Sequence, residues 1–103
     1  MAEQGRRRRV AITGIGALTP IGITREALWN GLQSYRSAVR TVTRFDPSLY
    51  RSQIAAEIDF VPTDFMDRRR ARKLDRFGHF TVACAHLAVD DAELDMTLIS
   101  EVQ

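Results

Sequence analysis

Val10-Ala11-Ile12-Thr13-Gly14-Ile15-Gly16 is the stretch whose reading settles the architecture. Val10 to Thr13 follow arginines and run into Gly14 without the alternation of a strand that has one wet face. Such a run reads as a buried strand. The loop that follows, Gly14 to Gly22, is rich in glycine, and Pro20 bars a regular helix through it. A strand entering glycines invites a dinucleotide reading, which needs Gly at the first, third and sixth positions of the turn. Counted from Gly14 the sixth is Thr19, Pro20 stands where a helix should begin, and no acidic residue lies about twenty positions on for a ribose. The glycines are expected instead to make a tight structural turn that uses unusual backbone angles.

Downstream of this loop the pattern turns helical. Thr24 is an N-cap for a helix with Leu28, Trp29 and Leu32 on its inner side, ending near Gly31 and Ser34. Phe45-Asp46-Pro47-Ser48 is a turn. Ser52 to Ile58 alternates, placing Ile54, Ala56 and Ile58 on one face of a half-exposed strand that Pro62 closes. A short helical turn is expected from about Asp64 through the arginines, then a long helix from Asp75 to Ala92. Asp75 can cap that helix and oppose its dipole. Phe77, Phe80, Cys84, Leu87 and Ala88 recur at helical spacing, and Val82, Ala83, Ala85 and Val89 make the other faces apolar. A helix this apolar belongs inside something larger than the rest of the chain can build.

Composition agrees with a single small unit. The 103 residues, 45% hydrophobic and 27% charged, allow one domain at most, here residues 1–103 with a basic, polar lead-in over 1–9. Lys plus Arg number 15 against 13 Asp plus Glu, a balance of +2 that does not describe a wholesale polyanion binder. A lone cysteine excludes an internal disulfide and fits a reducing compartment. No apolar run approaches a bilayer span, and the basic N-terminus lacks the apolar core of a secretory signal, so a cytoplasmic protein is expected.

The charges are nonetheless clustered. Arg6 to Arg9 form one basic run, read as a solvated lead-in. Arg68, Arg69, Arg70, Arg72, Lys73 and Arg76 form a second, with only Asp75 among them. Arg69, Arg72, Lys73 and Arg76 fall at i, i+3, i+4 and i+7, one helical face if the turn continues. Like charges so placed repel, so the face is either a solvated one or a landing site for an acidic partner. No aromatic residue is interleaved, which counts against single-stranded nucleic acid. Cys84 lies in mid-helix on an apolar stripe, away from the helix N-terminus that thiolate chemistry wants, and reads as a buried small hydrophobe. His79 and His86 are seven apart rather than the four of a helical metal pair, and are read as polar positions bonded to Asp75 and Asp90.

Taken together the chain resembles the start of an elongating β-ketoacyl-acyl-carrier-protein synthase, a thiolase-like condensing enzyme. The residues that carry the resemblance are Arg8 to Gly16, Thr19-Pro20-Ile21-Gly22, Thr43-Arg44-Phe45-Asp46, Ile54-Ala55-Ala56-Glu57, and Asp67-Arg68 through Arg72 to Phe77, colinear from about Arg7 to about Leu94. The resemblance implies the opening, incomplete part of a layered α/β/α/β/α fold, homodimeric when whole. It implies an acyltransferase of fatty acid or polyketide biosynthesis that performs a decarboxylative Claisen condensation, with no cofactor or metal. The family's nucleophilic cysteine and two histidines lie beyond the matched segment, so Cys84, His79 and His86 are not their counterparts and no catalytic residue is assigned. Leu98 to Val102 falls where the family enters its next core strand. By the same resemblance Arg69, Arg72 and Lys73 match cations that dock the acidic acyl carrier protein. The chain alone is expected to be inactive and to expose core surface; the alternative is a non-catalytic module docking acidic carrier proteins. Nucleic acid and membrane are not expected partners.

Overall fold

The computed structural model describes Gly5 and residues 7–99; Arg6 of the first basic run and Ser100 to Val102 of the expected last strand lie outside the described residues. In chain order there are two short strands, β1 (Leu18–Thr19) and β2 (Gly22–Ile23), then helix α1 (Arg25–Gln33). Strands β3 (Arg40–Thr41) and β4 (Ile54–Ala55) follow, then a 3₁₀ turn (Pro62–Asp64) and helices α2 (Arg68–Lys73) and α3 (Arg76–Asp91).

The loop read as glycine-rich contains an antiparallel hairpin, with Leu18 facing Ile23 and Thr19 facing Gly22. Thr19 closes it: its hydroxyl donates to the Gly22 carbonyl at 2.8 Å and accepts the Gly22 N–H at 3.1 Å. Thr24 caps α1 as expected, its hydroxyl accepting from the Ala27 N–H at 3.2 Å. Its φ of 98° lies in the left-handed region, a strained position held by the bond from its own N–H to the Ala17 carbonyl. Ser34 is the C-cap, so the end of α1 also falls where Ser34 placed it. Trp29 and Leu32, expected on an inner side, are exposed, because no described residue packs over that face.

The strand expected over Val10 to Thr13 does not form among the described residues. Val10 and Ile12 are 91% and 87% exposed. A strand exists only by hydrogen bonding to a neighbour, and no described segment supplies one. The second expected strand, Ser52 to Ile58, is paired only over β4, where Arg40 faces Ala55 and Thr41 faces Ile54. Ile54 and Ala56 are exposed and Ile58 is half-buried, so the alternating face is largely uncovered. Side chains extend this ribbon. The Arg40 Nη2 donates to both carboxylate oxygens of Asp59, at 3.0 Å to Oδ1 and 2.9 Å to Oδ2. Glu57 accepts from the Thr43 hydroxyl at 2.7 Å and from the Thr43 and Arg44 N–H groups, and these bonds, the hydroxyl foremost, hold its carboxyl below the usual range.

The core is small: Ala17, Phe60, Met66 and Ala83. Phe60 stacks on Phe65 at 5.5 Å and meets Phe80 edge-on at 5.4 Å, tying the segment before the 3₁₀ turn to α3. The glycines do their work here, and not through unusual backbone angles, since none has positive φ. A Cβ on Gly16 would collide with the Cys84 carbonyl, and one on Gly14 would lie 2.6 Å from the Ala92 Cβ. Their missing side chains let the chain lie flush on α3. Asp91, at the end of α3, fastens the contact by accepting the Ile15 N–H at 2.8 Å while pairing with Arg25 at 3.3 Å.

Candidate functional site

Helix α2 is built from Arg68-Arg69-Arg70-Ala71-Arg72-Lys73, a sequence whose own charges oppose folding. Asp67 starts it, its Oδ1 accepting the Arg70 N–H at 2.7 Å and placing a negative group at the positive end of the dipole. Leu74 stops it by taking extended backbone angles, φ −114° and ψ 144°. Every cation of α2 is exposed, and among the described residues none lies within ion-pair distance of a carboxylate. Arg69, Arg72 and Lys73, at i, i+3 and i+4, share one face. Arg70 points elsewhere, as expected, lining a groove with Val82, Ala85, His86, Val89 and Met96.

Arg76 does not belong to this face. The extended Leu74 ends the helical register three residues after Ala71, so Arg76 opens α3 instead of continuing α2. Its guanidinium turns inward, donating to the Ile58 carbonyl at 3.0 Å and the Phe60 carbonyl at 3.3 Å. It also lies over the rings of Phe80 and Phe60, at 4.9 and 5.3 Å from their centroids. Burial, with repulsion from Arg44 adding, pulls its pKa down from the ordinary value, and it remains a cation at neutral pH. The sequence held the signal that was missed: Asp75 as an N-cap already implies that Arg76 starts a new helix.

The two histidines part company. His86 is exposed, whereas His79 reaches back to α2, its Nε2 lying 2.7 Å from the Ala71 carbonyl. A carbonyl only accepts, so Nε2 carries the proton, and Nδ1 is buried with no partner. Neither imidazole is bonded to Asp75 or Asp90 as expected; the Ala71 carbonyl, which receives only a 3.5 Å approach from the Leu74 N–H where α2 stops, takes His79 instead. Asp75 occupies the N-cap position of α3, though its side chain makes no capping bond. Cys84 is half-buried, not buried, and stands in the middle of α3, away from any helix N-terminus. Among the described residues no group of three His, Cys, Asp or Glu could hold a metal ion, and no helix is long and apolar enough to cross a membrane.

Comparison with known proteins bears on this arrangement. The family model described as "Beta-ketoacyl synthase, N-terminal domain" matches residues 7–102. "3-oxoacyl-[acyl-carrier-protein] synthase 2" of Synechocystis sp. is 43% identical over 89 residues, which are 85% of this chain and 21% of that protein. The "Tetracenomycin polyketide synthase ketoacyl synthase alpha subunit" of Streptomyces glaucescens is 42% identical over 94 residues, 90% of this chain and 22% of the relative. Among solved structures, "The ishigamide ketosynthase/chain length factor" superposes with a TM-score of 0.84 at 38% identity, covering 94% of this chain and 24% of its own. The chain therefore spans about a fifth of the length of the curated relatives it matches.

Proposed function

Since the chain belongs to the β-ketoacyl synthase family and has the fold of the N-terminal part of that thiolase-like architecture, we propose that it serves a 3-oxoacyl-[acyl-carrier-protein] synthase of fatty acid or polyketide biosynthesis. In that reaction an acyl group passes from the carrier's thiol to an enzyme cysteine. Loss of carbon dioxide from a malonyl-carrier then yields the carbanion that attacks the acyl carbonyl, and the carbon–carbon bond forms as the thioester C–S bond breaks and the enzyme cysteine leaves as thiolate. The chain's part is scaffold and recognition. Its one cysteine sits in mid-helix, where no dipole end favours a thiolate, so the 103 residues alone form no carbon–carbon bond. The complete enzyme is a homodimer, and its remaining layers cover Val10, Ile12, Trp29, Leu32 and Phe77, which are exposed here.

The observation that carries the reading is the face of Arg69, Arg72 and Lys73 on α2, exposed and without a carboxylate among the described residues. Opposite charge across such a face accelerates encounter with an acidic carrier protein and fades as salt rises. The test is binding of an acyl carrier protein to the protein as its own gene makes it. Reversing Arg69, Arg72 and Lys73 together to Glu should weaken binding more than about tenfold at low salt and flatten its salt dependence. Unchanged affinity would remove the docking assignment. A non-catalytic docking module is the second reading, favoured by the same cations together with the unactivated Cys84. A condensation assay on the same preparation separates the two: product identifies the synthase, and carrier binding without product identifies the module.

A further inference from the structure

A six-residue helix made almost wholly of cations cannot hold its own position: its charges repel, and it buries no side chain. Something outside it must fix where Arg69, Arg72 and Lys73 point. The connection to α3 does so at one point. Where α2 stops, the Ala71 carbonyl loses its helical partner, and it receives only a long 3.5 Å approach from the Leu74 N–H. The short bond comes from His79 Nε2, one turn into α3, at 2.7 Å. That ring is sequestered, with Nδ1 buried and unpartnered. Its helix is in turn locked to the body of the chain by Arg76 on the Ile58 and Phe60 carbonyls. We propose that His79 is a positioning residue for the carrier-docking surface, setting the orientation of α2 through the Nε2–H bond to the Ala71 carbonyl. The inference rests on the docking role assigned to α2 above.

The test measures carrier affinity at low salt for the protein as expressed from its own gene, with three changes. His79→Leu removes the donor and should weaken carrier binding about fivefold, the loss of one net hydrogen bond. His79→Gln places an amide N–H near the position of Nε2 and should restore affinity to within about twofold, which a merely space-filling role would not predict. Near-normal affinity for His79→Leu, alongside collapse of binding in the Arg69, Arg72, Lys73 reversal, overturns the positioning role and leaves the docking surface standing. No effect of the reversal removes the docking surface, and this inference with it. Should His79→Leu fail to fold, nitrogen NMR of the unaltered protein decides: a proton on Nε2 is expected, and a ring without one there overturns the bond.

Discussion

The corner around Phe60 and the segment from Val10 to Thr13 both carry apolar side chains in sequence and are opposite in outcome. At the corner, Phe60 meets both Phe65 and Phe80, Arg76 donates to the Ile58 and Phe60 carbonyls, and Phe60 is 9% exposed. In the segment, Val10 and Ile12 stand almost fully in solvent. The difference lies in who supplies the partner. The corner closes over residues within about twenty positions of one another, so a short chain can complete it. A strand covered on both faces needs neighbours from elsewhere in a larger fold, and burying it is non-local work. Apolar character marks both regions; only the corner carries its own complement.

The sharpest way to break this contrast is Phe60→Ala. Losing a buried ring that touches two others should cost about 3 kcal/mol, read as a lowered denaturant midpoint, and an unchanged midpoint would show that the corner is not the stabilising unit. Gly16→Ala tests the seam where the segment joins the corner. A methyl group driven into the Cys84 carbonyl should cost about 2 kcal/mol by displacing the loop from α3, visible as faster amide exchange at Ile15, whose N–H Asp91 holds. Ile12→Ser should change the stability of the 103-residue chain by less than about 0.5 kcal/mol while reducing its binding of a hydrophobic dye. A large loss of stability there would mean that the segment is already packed.

What was legible in the sequence follows the same division. Both long helices were, because their signals are local: Thr24 before Arg25, Asp75 before Arg76, and apolar residues at helical spacing between Phe77 and Ala88. The hairpin at Leu18 to Ile23 was not, since its closure depends on the Thr19 hydroxyl and two residues of pairing, which leave no period to read. The glycines were recognised as structural, but through conformational freedom, when their role is contact; only the path of α3 across Gly14 and Gly16 reveals that. The cationic face was legible as Arg69, Arg72 and Lys73, and was wrongly extended to Arg76, which opens α3. The link from His79 to Ala71 joins residues eight apart on different helices and had no signature in the chain.

The break at Leu74 bears on how the arginine run should be dissected. A scan that neutralises its cations one by one, scored only by lost partner binding, would rank Arg76 beside Lys73. The two losses have different origins, and ionic strength tells them apart: attraction carried by solvent-facing charges dwindles as electrolyte is added, whereas the defect left by removing an inward-facing guanidinium persists at every salt concentration.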